Sequence, residues 1–150
     1  MTHIIRPLTT HDAQAWLTLW QGYQAFYQVD IASHTSELTW QRLLDANEPV
    51  FGAVALEEER LIGFVHWVVH RSTWTVNPTC YLQDLFVDST QRGAGIGGAL
   101  IEHVRTIAQQ NGYAEVYWLT HESNDQAQKL YQKVAERPGF LQYCIPLNTP

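Results

Sequence analysis

The 150-residue chain is poor in charge, in cysteine and in long apolar runs. Nine Lys and Arg face fifteen Asp and Glu, a net charge of −6, so no basic patch exists to neutralise nucleic-acid phosphates and that class of partner is excluded. Two cysteines, Cys80 and Cys144, are too few for a disulfide or metal framework. Each lies in a strand-like run and reads as a small buried hydrophobe. No apolar run approaches the ~20 residues that cross a bilayer, which leaves no membrane partner. The opening Met1-Thr2-His3-Ile4-Ile5-Arg6 lacks the basic-then-apolar layout of a signal peptide, so cytoplasm is the expected location. Internal repeats, linkers and low-complexity tracts are missing as well. What remains, 45% hydrophobic and 16% charged residues, fits one globular domain over 1–150 with a core large enough to need no staples.

Periodicity then orders the chain. Ile4 to Leu8 reads as a short strand, and Thr9 or Thr10 can cap a helix in which Ala13, Trp16, Trp20, Tyr23 and Tyr27 form one apolar face. Gln28 to Thr35 breaks the pattern and reads as a loop. Ser36 is placed to cap a second helix with Trp40, Leu43 and Leu44 inward, ending near Asn47-Glu48-Pro49. Val50–Leu56 and Leu61–His70 form a hairpin about the charged turn Glu57-Glu58-Glu59-Arg60. After a polar connection, Arg71 to Pro78, comes a third long strand over Thr79–Val87. A helix over Ala99–Gln110 buries Leu100, Ile101, Val104, Ile107 and Ala108 and stops at Asn111-Gly112. Glu115–Thr120 is the next strand. Asn124 or Ser123 caps a helix with Ala127, Leu130, Tyr131 and Val134 inward, and Leu141–Leu147 closes the chain as a final strand. The order predicts a mixed α/β (α+β) sheet with helices packed on it.

Between the third strand and its helix stands Gln91-Arg92-Gly93-Ala94-Gly95-Ile96-Gly97-Gly98. Glycines let a ligand approach the backbone, and the free N–H groups of the helix start, with the helix dipole, favour a phosphate. A P-loop requires Lys and Ser or Thr after the last glycine, and Ala99-Leu100 stand there instead. The dinucleotide fingerprint GxGxxG is met by Gly93, Gly95 and Gly98. Its context is wrong, because Asp88 to Arg92 separate strand from glycine where a dinucleotide fold turns almost at once. A purely structural turn is a further alternative. The remaining reading is RxxGxG, formed by Arg92, Gly95 and Gly97 after Leu85-Phe86-Val87-Asp88.

With that motif, and with the later Asn124-x-x-Ala127-x-x-x-Tyr131 and Gly139-Phe140, the chain resembles the GNAT N-acetyltransferase superfamily over essentially its whole length. Tyr81-Leu82-Gln83-Asp84-Leu85-Phe86-Val87 and the glycine block look much like diamine acetyltransferases and yeast histone-acetyltransferase-like proteins. One departure is the longer Gln132–Pro138 link before Gly139-Phe140. The resemblance implies a GNAT-like, mostly antiparallel central sheet with helices on both faces. It implies acetyl-CoA as co-substrate, its pyrophosphate on the backbone amides of Arg92, Gly93, Ala94, Gly95, Ile96, Gly97 and Gly98. It also implies its pantetheine arm beside Leu85, Phe86 and Val87, and a further contact from Asn124 and Ala127. A homodimer is common among such folds, and the six Trp and seven Tyr leave aromatic surface for one.

The implied reaction is attack of a neutral primary amine on a thioester. A lysine-like amine, with an ordinary pKa of ~10.4, must first lose a proton. A backbone N–H near Leu85 would face the oxyanion, and Tyr131 matches the tyrosine that protonates the departing thiolate. The general base is open: Gln83 stands where diamine enzymes have Glu, and an amide takes no proton. Strict alternation turns Asp84 to the opposite side of the sheet. Glu122, Asp30 and a water chain to solvent are the other candidates. The alternative to an enzyme, motivated by Gln83, is a catalytically silent CoA-binding or sensory module.

Seven histidines raise a metal site, but His66 and His70, four apart on a strand, lie ~13 Å from each other and cannot share one ion. No metal is expected, and His121 reads as a surface histidine. Loops 28–35 and 71–78, with Asp30, His34, Trp74 and nearby Tyr81, are expected to line the acceptor end. Aromatic walls with scattered acid suit a small-molecule or lysine-like amine.

Overall fold

The computed structural model describes residues 3–91 and 93–149. The chain divides into two compact units, Met1–Leu119 and Thr120–Pro150.

The first unit is built on a sheet of five strands in sequence order: β1 (Ile4–Pro7), β2 (Val50–Glu57), β3 (Arg60–His70), β4 (Thr79–Val87) and β5 (Val116–Tyr117). The first four are antiparallel to their neighbours, and β5 runs parallel to β4. The mixed, mostly antiparallel sheet expected from the sequence is present.

Three helices cover it. A turn of 3-10 helix, Thr10–Asp12, leads into α1 (Ala13–Tyr27), and α2 (Ser33–Leu44) follows. Both lie on the sheet face that carries Val54, Leu56, Phe64 and His66, where Trp16, Leu19, Trp20 and Leu43 join the strand residues in one buried cluster. Each large apolar side chain sealed there contributes ~1.5–3 kcal/mol. The aromatic stripe of α1 is therefore core at Trp16 and Trp20, and emerges only at Tyr27. On the opposite face α3 (Ile96–Asn111) buries Ile96, Leu100, Ile101, Val104 and Ala108. Gly63 there approaches Leu100, and Trp67 packs edge-on against His103. Gly112, at φ +68°, ends α3 in the left-handed conformation that its Asn-Gly signal foretold.

Three local expectations are corrected. Ser36 does not cap α2. The helix starts three residues earlier, at Ser33, and Ser36 is a buried acceptor for the indole N–H of Trp20 at 3.0 Å. The hydroxyl is more valuable to a buried donor than to a helix end. Strand β5 is only two residues long where six were expected.

In the second unit, α4 (Asp125–Val134) is capped by Asn124, one of the two caps the sequence offers. Leu141–Leu147, expected as a strand, is not one, and Leu141, Tyr143, Ile145 and Leu147 are exposed. An alternating apolar pattern becomes a strand only when a ladder partner is supplied, and this unit holds one helix and no strand among its described residues. Cys144 lies in the same stretch and is exposed, unlike Cys80, which is fully buried in β4.

Candidate active site

The glycine turn is built by backbone geometry. Strand β4 ends at Val87, and Asp88 donates its N–H to the Ile62 carbonyl at 2.8 Å, pinning the exit. Ser89–Gln91 then turn once, with the Gln91 N–H on the Asp88 carbonyl at 2.9 Å. Arg92 lies outside the described residues. Gly93 has φ +88° and Gly95 φ +80°, the left-handed region that favours glycine. A Cβ at either would meet no described atom within 4 Å, so conformation and not crowding demands glycine here. Ala94 between them is exposed.

Helix α3 starts at Ile96, three residues earlier than its apolar period suggests. Gly97 and Gly98 are thus its first turn and not part of the loop. The first intrahelical bond runs from Ala99 N–H to Gly95 O at 3.0 Å. The amides of Ile96, Gly97 and Gly98 precede that bond, at the positive end of a 16-residue helix. Ile96, 2% exposed, anchors this end in the core and holds the amides in place. An anion is the natural ligand of such a turn.

Upstream, β4 presents a second feature. Its parallel ladder with β5 covers only Cys80↔Val116 and Tyr81↔Tyr117, while β4 continues to Val87. Leu85, Phe86 and Val87 are half-buried in the stretch past the ladder's end. A strand's backbone can receive an extended ligand as an added strand.

Alternation fails at Gln83. The β3–β4 register pairs His66 with Asp84 and Trp67 with Leu82, so Gln83 is an extra, exposed residue in a β-bulge. Asp84 lies just past the bulge, in regular register with Leu85 and Phe86. Its side chain faces α1, where the Tyr23 phenol donates to Oδ1 at 2.6 Å and His66 Nδ1 meets Oδ2 at 2.9 Å. His66 Nε2 in turn accepts from the indole N–H of Trp16 at 3.0 Å. Four residues from α1, β3 and β4 thus form one buried chain of polar contacts. Sequence reading weighed His66 only as a metal ligand. Its partners come from distant positions, and a bulge leaves no trace in apolar period.

Burial, and next the charge of Asp84, push the Tyr23 phenol well above its ordinary pKa. The same two causes raise Tyr81. Tyr81 stacks on Tyr117 with ring centroids 5.0 Å apart, and the Tyr117 hydroxyl lies 2.7 Å from His70 Nε2. Asp30 and Trp74 are exposed on their loops, whereas His34, expected on a loop, is exposed in the first turn of α2.

In the second unit, Asn124 Oδ1 accepts from the Ala127 N–H at 3.4 Å, which caps α4. Tyr131 is half-buried one turn on from Ala127. His121 Nδ1 contacts the Ser123 hydroxyl at 2.7 Å, and Glu122 is exposed.

The family model described as the acetyltransferase (GNAT) family matches residues 16–135. The chain belongs to the GNAT acetyltransferase family. It is 34% identical over 142 residues to the D-amino-acid N-acetyltransferase HPA3 of Saccharomyces cerevisiae, covering 93% of this chain and 88% of that one. It is 32% identical to the N-acetyltransferase YhfO of Bacillus subtilis, covering 97% of each. Among solved structures it superimposes on AAC(6')-Iy in complex with the bisubstrate analog CoA-S-monomethyl-acetylneamine. The TM-score is 0.86 at 18% identity, with 98% of this chain and 99% of that one covered. The GNAT chain is accordingly an acyltransferase of the N-acetyltransferase class. Among its described residues no helix is long and apolar enough to cross a membrane.

Proposed function

We propose that this GNAT protein moves an acetyl group from acetyl-CoA to a primary amine by direct attack, with all of 1–150 serving as one acetyltransferase domain. The observation that carries the reading is the turn in which two left-handed glycines, Gly93 and Gly95, deliver the amides of Ile96, Gly97 and Gly98 at a helix start. Donors of that spacing suit a pyrophosphate. Arg92 adds charge beside it. Acetyl-CoA brings the thioester to be cleaved, and its extended arm suits the stretch of β4 at Leu85, Phe86 and Val87. Asn124 and Ala127 add a contact from the head of α4.

The chain's own part in the chemistry is to stabilise charge and deliver one proton. A main-chain N–H at Leu85 serves the oxyanion. Tyr131 supplies the proton to the departing sulfur, since a phenol with a pKa near ~10 is a competent acid toward a thiolate of ~8.5. The acceptor class is a polyamine, a lysine side chain or another small amine, met by the tyrosines near Asp84. A cytoplasmic location suits such a substrate.

The test is thiol release from acetyl-CoA against a panel of amines, with thermal stabilisation by CoA measured in parallel. Tyr131→Phe is expected to lose most turnover and keep CoA affinity. Gly95→Val is expected to lose CoA binding. Stabilisation by NADH and none by CoA would overturn the reading.

A further inference from the structure

We infer that Asp84 is the electrostatic anchor for the positive charge of the acceptor amine. This rests on the acetyltransfer reading above and adds a specificity-determining residue to it. The argument begins with the hydrogen on His66. An indole N–H only donates, so Trp16, 3.0 Å from His66 Nε2, requires a lone pair on that nitrogen. The ring's single proton therefore sits on Nδ1 and is donated to Asp84 Oδ2 across 2.9 Å. The imidazole is neutral. Although the pair has the geometry of an ion pair, it carries only one charge.

The second donor is neutral too. Tyr23, 2.6 Å from Oδ1, is a phenol held in its protonated form by burial and by the carboxylate itself. Asp84 is 9% exposed, and among the described residues no lysine or arginine pairs with it. It is an ionised carboxylate with two neutral donors, one on each oxygen, and no counter-charge among the described residues. Charges this deeply buried are normally paired, because hydrogen bonds alone recover only part of the lost hydration.

The surroundings fit a cation as the missing partner. Tyr23 lies against Tyr27 with ring centroids 4.8 Å apart, and Tyr81, whose phenol responds to the Asp84 charge, stacks on Tyr117. Aromatic faces attract ammonium groups, and each carboxylate oxygen retains acceptor capacity after one hydrogen bond. A neutral acceptor gains nothing from this arrangement, and a second carboxylate is repelled by it. The enzyme should therefore favour amines that arrive as alkylammonium ions, with no carboxylate beside the nitrogen.

Spermidine is a suitable probe for both binding and turnover. Its binding should be followed by tryptophan fluorescence, since Trp16 belongs to the network, and its KM by thiol release. In Asp84→Asn the spermidine KM and Kd should each rise about tenfold or more, as expected when a charge-assisted contact is lost. The KM for acetyl-CoA should hold. Tyr23→Phe, which removes a hydrogen bond but no charge, should raise the spermidine KM by a smaller factor. A wild-type measurement covers the case in which Asp84→Asn does not fold. Tetramethylammonium chloride should then compete with spermidine, and not with acetyl-CoA, when compared with sodium chloride at equal ionic strength.

An unchanged spermidine KM in a folded Asp84→Asn enzyme overturns the assignment, as does absence of competition by tetramethylammonium. So does a parallel rise of both KM values with a fall in Tm, the mark of a purely structural carboxylate. A wild-type protein that turns over no amine at all fails at the earlier step, the acetyltransfer reading itself.

Discussion

Arg6 grips Asp12 with both terminal nitrogens, Nη1 at 2.7 Å from Oδ2 and Nη2 at 2.9 Å from Oδ1. The pair ties the edge strand β1 to the turn that starts α1. Asp12 is 5% exposed and also accepts the Thr9 N–H at 2.8 Å, so its carboxylate is saturated by good donors. Those bonds, the guanidinium first, lower its pKa from 3.8 to about 2. A folded-state pKa depressed in this way adds stability that is present above the unfolded value and lost as pH falls through the folded one. We expect this contribution, roughly 1–2 kcal/mol, to disappear between about pH 4 and pH 2. Denaturant melts of wild type and Asp12→Asn should therefore converge at pH 2 and separate by that amount at pH 6. A gap independent of pH would show that the carboxylate's charge contributes nothing.

The hairpin of β2 and β3 turns through Glu58 and Glu59, at φ 49° and 69°, with Glu57 opposite Arg60. A two-residue loop with both φ positive has the twist of the strands it joins, and Asn-Gly is its preferred sequence. Non-glycine residues there store strain of order 1 kcal/mol. The double change Glu58→Asn, Glu59→Gly should raise stability by about 0.5–1.5 kcal/mol in chemical denaturation. A fall in stability would mean that the two carboxylates do more for this turn than its backbone demands.

The two cysteines should differ sharply toward a thiol reagent. Burial pushes the Cys80 thiol up to about 11, and the side chain has no exposure, whereas Cys144 is exposed. Since the thiolate is the nucleophile, one thiol per chain should react with a disulfide reagent at pH 8 in native protein, and two after denaturation. Two fast native thiols, or loss of the fast one in Cys80→Ser in place of Cys144→Ser, would contradict this arrangement.

How much of this was legible in the chain depended on how local the cause was. Trp16, Leu100 and Val104 announce their burial through helical period, and Gly112 announces a helix end through one backbone preference. The Gly93–Gly95 turn was readable for the same reason. Ile96 marks the limit: an apolar residue between glycines reads as loop, and only the packing of α3 onto the sheet shows it to be the first helical residue. The Asp84 network lies further out of reach. Its members are joined across 50 residues between Trp16 and His66, and it exists because the β3–β4 register sets Asp84 opposite His66 on the face that α1 covers. Leu141–Leu147 shows the opposite error, since its alternation is a property of the segment but a strand is a property of a pair.

Gly22 and Gly63 offer a final, paired prediction, because both approach Phe86 but different parts of it. A Cβ at Gly63 would stand 2.9 Å from the Phe86 carbonyl oxygen, and the β3–β4 ladder, which pairs Phe86 with Phe64, fixes that oxygen. Backbone must then move, so Gly63→Ala should cost about 1–3 kcal/mol, the range seen for overpacking. A Cβ at Gly22 would stand 3.1 Å from the far tip of the Phe86 ring, which has to give only a few tenths of an ångström. Against that small cost, alanine in the middle of α1 gains about 1 kcal/mol of helix propensity over glycine. Gly22→Ala should therefore be close to neutral, within about 0.5 kcal/mol. Equal destabilisation by the two substitutions in urea melts would mean that the Phe86 ring is as rigid as the strand that carries it.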